Sequence, residues 1–412
     1  MPMVVELMEW GFAFTALAYG SWWRRHRRSF NENFHRNAVF KYQPNQTHEV
    51  KQFLIRLLVT PEDFMYHIRH TFSATIMNLA YGIKVNPHEV SPYMTRAAES
   101  LAGFAVAGMT GTFWVDYIPA LKYVPSWFPG ASFKRLAAHY KRVNNDLTEL
   151  PFKFIEDQMK AGKAVPSLAA TFIEALPPKG DPTYEEERTL RKRLPRLHRR
   201  SGDDRLLGSD VLLGYDIVPR DFSDRPDLPY INALIKETSR WNLAYLLVSL
   251  LDYQCYTCLL MLEPPAVGHM SSNDDEYDGY FILKGTIVYG NAWSILHDPT
   301  IYTKPSEYRP ERYLKPDPRV RDPEVAAFGL VVGNVRPGRH MSDNSLYCII
   351  VSTLAVYDIK APVDQDGKPM MPKAAFTSGL LTYPEPFKCI IKPRSRAAED
   401  LIRESVSETN ND

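Results

Sequence analysis

The amino-acid sequence predicts a mainly α chain with a small β portion, and three observations carry that prediction. Long stretches space their apolar residues by three and four, as in Phe64, Ile68, Phe72, Ile76 and Leu79. Strand-like pieces are short: Tyr280 to Leu283, Thr286 to Tyr289, and a closing hairpin from Leu380 to Ile391. Thirty-two prolines and 21 glycines punctuate these runs without low complexity, and no internal repeat is visible.

With 412 residues, 45% of them hydrophobic, the chain can bury one large core or two moderate ones. We read it as one domain over 1–412. A net charge of +1, from 49 Lys+Arg against 48 Asp+Glu, gives no reason to expect nucleic acid or an acidic partner. Four cysteines (Cys255, Cys258, Cys348 and Cys389) are too few for a disulfide framework and point to a reducing compartment. Met1 to Tyr19 shows no secretory pattern: it carries Glu6 and Glu9, lacks a basic leader, and falls short of the roughly 20 apolar residues that span a bilayer. Asn45-Gln46-Thr47 therefore reads as a chance sequon.

Taken in order, Val50, Phe53, Leu54, Leu57 and Leu58 mark an amphipathic segment. Thr60-Pro61-Glu62-Asp63 opens the next helix, with Thr60 as its N-cap and proline at the first position. Trp114 to Gly130, rich in aromatics and proline, reads as a structured loop, and helix resumes over 132–162. Pro177 to Pro182 then breaks the chain. From Arg188 to Arg200 basic residues leave almost no apolar face, so 183–210 is expected to be an irregular, solvated basic segment. Without interleaved aromatics it is no nucleic-acid platform. Asp227-Leu228-Pro229-Tyr230 opens a helix running through Trp241. Residues 243–262 are an atypical apolar insertion broken by Asp252 and Gln254. The last clear helix is Leu346 to Tyr357.

Glu237-Thr238-Ser239-Arg240 lies inside the helix that begins at Pro229. By itself a Glu and an Arg three residues apart are an ordinary ion pair worth about 0.3 kcal/mol. Here Leu296-His297-Asp298-Pro299, Tyr308-Arg309-Pro310-Glu311-Arg312-Tyr313, Phe328-Gly329 and Pro337-Gly338-Arg339-His340-Met341 follow in that order. Upstream, Gly20 to Arg28 sets Trp22 and Trp23 beside a basic run. This ordered series resembles the cytochrome P-450 family, and its C-terminal half resembles fungal members that oxidise secondary metabolites.

The resemblance implies an incomplete cytochrome P-450 fold and a heme-dependent monooxygenase that hydroxylates an apolar small molecule. It implies electrons from a P-450 reductase and a monomeric protein. Glu237, Arg240 and Arg312 take the positions of the triad that braces the heme-side core. Trp23 and Arg27 take those of the donors to a heme propionate, and indole N–H and guanidinium are pure donors suited to a carboxylate. His269 is a further cofactor-side candidate. Family members are usually anchored to the endoplasmic reticulum. Because the chain starts near the propionate helix, the anchor and first sheet strands are expected to be absent and the protein intracellular.

Two departures bear on chemistry. The family's heme loop reads F-x-x-G-x-R-x-C-x-G, with a thiolate that pushes electron density onto iron. Anchored on Pro337-Gly338-Arg339, this chain has Arg336 at the thiolate position and Asn334 at that of the loop arginine. Arginine offers no lone pair, so no metal ligand is expected there. Cys348 stands roughly 15 Å farther along a helix, and Cys255 with Cys258 makes a lone C-x-x-C. The oxygen-activating helix is equally altered: in Ser201 to Arg205, Arg205 occupies the place of the essential threonine.

These features predict no normal monooxygenase turnover. Two readings stay open: a monooxygenase impaired as written, or an inactive family remnant without heme that binds a ligand or partner. The faults at 183–210, 243–262 and 328–337 fit a misjoined gene and a decayed one equally; transcript sequencing separates the two.

Overall fold

Helices dominate because most apolar stripes in this chain have a helical period and must be buried against one another. The computed structural model describes residues 2–13, 17, 19–87, 89, 91–108, 111–193, 222–241, 269–315, 317–323, 326, 338–371, 375 and 384–407. Arg205, Asn334, Arg336, Cys255, Cys258 and the apolar insertion 243–262 lie outside the described residues.

The first helices are α1 (Ser21–Phe34), α2 (Gln43–Val59), α3 (Phe64–Tyr81), α4 (Pro92–Ala107) and α5 (Ser132–Lys160). They are followed by α6 (Leu168–Glu174), α7 (Tyr184–Arg193), α8 (Pro229–Trp241) and the short α9 (Ala292–Leu296). The chain closes with α10 (Arg339–Val356) and α11 (Arg396–Ser407). Among the described residues the strands form three two-stranded antiparallel pairs. In the first, β1 (His269–Met270) pairs with β4 (Ile287–Val288), His269 standing opposite Val288. Next, β2 (Asp275–Tyr277) pairs with β3 (Tyr280–Ile282). Finally, β5 (Tyr357–Lys360) pairs with β6 (Ile390–Pro393).

The central element is α10, which is buried nearly all round. One side packs Ile349 and Val356 against Val50, Phe53 and Leu57 of α2, Ile68 of α3 and Ile402 of α11. Another packs Tyr347, Ile350 and Val351 against Ile231, Leu234 and Ile235 of α8. At the end of α10 the Tyr357 hydroxyl donates to the Leu54 carbonyl of α2 at 2.7 Å, so the buried phenol is satisfied.

A separate core lies under the N-terminal segment. Met3, Val4 and Met8 are buried against Ala107 of α4 and Ala137 of α5. Asn144 holds the segment: its amide donates to the Met8 carbonyl at 2.7 Å and its oxygen accepts from Ser100 of α4 at 2.5 Å. Helices α4 and α5 meet closely at Gly103, where a Cβ would run into the Tyr140 ring and force it to move. Helix α5 runs on for 29 residues with Pro151 in its interior. Its second part contributes Ile155 to another cluster, with Tyr81 of α3 and Ala169 of α6.

Several sequence readings are corrected. Thr60 does not cap α3; Pro61–Asp63 is a 3-10 turn, and the Thr60 hydroxyl instead meets His67 Nε2 at 2.7 Å. Residues 184–193, expected to be irregular, form α7. Glu185, Glu186 and Glu187 in its first turn and Arg191, Lys192 and Arg193 in its last match the helix dipole. Leu190 is its buried anchor, and Glu186 and Glu187 pair with Arg25 of α1. The last clear helix begins at Arg339, seven residues before Leu346, and α11 follows it. Of the closing hairpin expected over Leu380 to Ile391, residues 380–383 lie outside the described residues; Ile390 and Ile391 belong to β6, which pairs with β5.

Candidate functional site

The motif residues of α8 point into the interior, because a stripe of Ile231, Leu234, Ile235 and Thr238 carries Glu237 and Arg240 inward with it. Both charged side chains are fully buried. Arg240 donates to Glu237 through Nε at 2.7 Å and through Nη2 at 2.8 Å, a bidentate pair closed within one helical turn. Glu237 also accepts the backbone N–H of Arg309 at 2.8 Å. Arg312, on the 3-10 turn Pro310–Tyr313, brings its Nε to 3.1 Å from the same Glu237 oxygen that Arg240 Nε uses. The structure thus brings Glu237, Arg240 and Arg312 together around one carboxylate. Tyr308 seals the edge: its hydroxyl meets Thr238 Oγ1 at 2.8 Å, and burial holds that phenol above the usual tyrosine range.

Trp23 and Arg27 lie elsewhere, on one face of α1 four residues apart. Trp23 packs on the cluster of Phe30, Phe34 and Met341. Burial lowers the pKa of Arg27 below the usual guanidinium range. The first turn of α10 faces this helix. Gly338 caps α10 at φ 85°, in the left-handed region, and a Cβ on it would sit 3.9 Å from the Phe30 ring. The beginning of α10 is further fixed by Gln46 of α2, whose amide donates to the Met341 carbonyl at 3.1 Å and to Ser345 at 2.6 Å. Arg225, in the turn before α8, grips Asp343 through both Nη atoms at 2.6 and 2.9 Å. Gln46 and Arg225 carried no motif and were missed in the sequence. His269 lies on β1 opposite Val288, apart from the brace on α8 in chain and in sheet pairing.

An open groove of about 500 Å³ runs along α2, lined by Phe40, Thr47, His48 and Phe222. None of the candidate cofactor-binding or brace residues lines it.

The family model described as Cytochrome P450 matches residues 261–391. The chain is 38% identical to "Cytochrome P450 monooxygenase COX2" of Coprinopsis cinerea, over 98% of this chain and 78% of that protein. It is 34% identical to "Tryptamine 4-monooxygenase" of Psilocybe cyanescens, over 96% of this chain and 78% of that protein. In three dimensions it is similar to a zebra fish cytochrome P450 solved with progesterone, with a TM-score of 0.66 at 18% identity, covering 96% of this chain and 87% of that one; this likeness shows the fold. The chain belongs to the cytochrome P-450 family. It is similar to fungal monooxygenases of that family over nearly its whole length.

The family implies heme, and the described residues can be tested against it. The donor chemistry of Trp23 and Arg27, on a helix facing the start of α10, fits the carboxylate edge of a heme. Iron is another matter. Cys348 is buried between α10 and α2 among Val50, Leu57 and Ile349, and its thiol is pushed up to about 11 by burial. Cys389 packs on the same cluster, likewise pushed up to about 11 by burial. Next to Gly338, His340 Nε2 accepts from Arg339 Nε at 3.3 Å, so its lone pair is engaged. Trp23 and Arg27 therefore suit the periphery of a heme, while both described cysteines are taken up by the core.

Proposed function

We propose that this chain carries the scaffold of a heme monooxygenase for an apolar small molecule and that, as written, it does not turn over normally. The single observation that carries the reading is Arg336 at the position of the thiolate, a side chain with no lone pair to give. Two observations support it: both described cysteines are committed to the core around α2 and α10, and Arg205 stands where a threonine is called for. The scaffold's own chemistry would insert one oxygen atom of O2 into substrate and release the other as water, with two electrons from a reductase and two protons.

A second reading, a remnant that folds without heme, is favoured by the same misfit. An apolar cavity left unfilled costs about 24 cal/mol per Å³, so this reading goes with a marginal, aggregation-prone chain. The test is the reduced carbon-monoxide difference spectrum of the expressed chain after heme reconstitution. We expect no red-shifted thiolate band. Appearance of that band, or reductase-driven turnover of any substrate, overturns the proposal. An unshifted heme band would favour an impaired heme protein, and no heme band at all would favour the remnant.

A further inference from the structure

The brace on α8 holds two cations and one anion. Arg240 Nε at 2.7 Å and Arg312 Nε at 3.1 Å share a single oxygen of Glu237, in a place where the Arg240 side chain is 0% exposed and that of Arg312 is 8% exposed. One positive charge is therefore in excess and almost out of water, an arrangement that needs compensation from fixed dipoles. The compensation comes from one stretch of chain. Arg240 donates to the carbonyls of Leu296 at 2.9 Å and Pro305 at 2.8 Å. Arg312 donates to those of Thr303 at 3.1 Å and Glu307 at 3.2 Å.

Tyr302 sits in the middle of that stretch and is 1% exposed. The guanidinium carbon of Arg240 lies over its ring at 5.3 Å from the centroid, and that of Arg312 at 6.0 Å. The ring is fixed from three directions. Its backbone N–H donates to the Asp298 carbonyl at 2.8 Å, its hydroxyl donates to the Arg321 carbonyl at 3.3 Å, and its flank packs with Leu296 and Ala326. An aromatic face carries negative charge density, and both cations are within the range where it attracts them.

We propose that Tyr302 is a positioning residue of this brace: one aromatic face serves two guanidinium groups, and so lets both stand on a single carboxylate. The hydroxyl is the remote end of this device and the ring face is the working part. The inference is independent of whether heme binds.

The test replaces Tyr302 in the full chain by Phe, by Leu, and by mono-, di- and trifluorinated phenylalanine, reading the thermal midpoint of each. Fluorine drains the ring face while barely changing its volume, which separates electrostatics from packing. Tyr302→Phe gives up the hydroxyl's hydrogen bond to the Arg321 carbonyl but keeps the face, so it should melt between the parent and Tyr302→Leu and is the reference for the fluorinated set. Tyr302→Leu should fall by about 2–4 °C or more. The midpoint should drop stepwise with each fluorine, and that slope should shrink when Arg312→Met is added. Fluorinated variants that all melt with Tyr302→Phe, or an unchanged slope beside Arg312→Met, would show a packing residue and overturn the proposal. Should Tyr302→Leu fail to fold, the fluorine slope alone decides.

Discussion

Arg240 donates two hydrogen bonds to Glu237, at 2.7 and 2.8 Å, three residues away on one helix with both side chains fully buried. The pairing differs from the exposed i,i+3 pairs of the same chain, such as Lys304 with Glu307, because neither partner has water to fall back on. Removing the acid strands two guanidinium groups. Glu237→Gln is therefore expected to cost about 3–5 kcal/mol, read as a lower urea midpoint. An unchanged midpoint would show that carbonyls alone satisfy the pair.

Asn144 ties the N-terminal segment to α4 and α5 through Met8 and Ser100. Asn144→Leu leaves the Met8 carbonyl and the Ser100 hydroxyl without this partner, at a cost of about 1–3 kcal/mol. Amide hydrogen exchange over residues 2–12 should quicken while exchange in α10 stays slow. Uniform quickening would instead mean that the segment and the main core open together.

Cys348 and Cys389 share a sign of pH dependence. Burial raises each thiol from 9.0 to about 11, so the unfolded chain loses these protons first as pH rises. The stability they contribute is fully present below pH 9 and is lost as pH climbs toward 11. Thermal midpoints should decline across that window, and Cys348→Ala should flatten part of the decline. At pH 8 the peptide containing Cys348 should resist alkylation until denaturant is added.

Arg336→Cys restores a thiolate donor at the one position where the family supplies it. Under the proposed function this variant should gain red-shifted carbon-monoxide absorbance that the parent lacks. Turnover should remain low, because Arg205 is unchanged. If the variant stays as silent as the parent, the misfit extends beyond the missing ligand.

Much of this molecule was legible in its sequence, for reasons that differ element by element. The stripe Phe64, Ile68, Phe72 and Leu79 announced α3 because one face is buried and the other wet. The brace was legible from Glu237, Arg240 and Arg312 as types at fixed spacing. The early start of α10 was hidden because Asn344 and Ser345 are buried polar residues, and no apolar rhythm reveals a helix that buries a serine against Gln46. Helix α7 was hidden by charge: a basic run reads as solvated until its acidic first turn is weighed against Arg25 of α1, and its Arg188 against Glu156 of α5. Tyr302 left no signal at all, since an aromatic in a loop looks the same whether it fills space or steers cations.

The proline inside α5 has a mechanical meaning. Pro151 has no N–H, so the carbonyl of Leu147 loses its helical donor and the rod is least stiff there. On one side of that weak point the helix belongs to the core under the N-terminal segment, through Ala137; on the other it belongs to the core around Tyr81, through Ile155. A single helix is thus spliced from two spans with a joint between them. Any load passing from Met3, Val4 and Met8 to the second core therefore crosses a turn of α5 that is short of one backbone hydrogen bond.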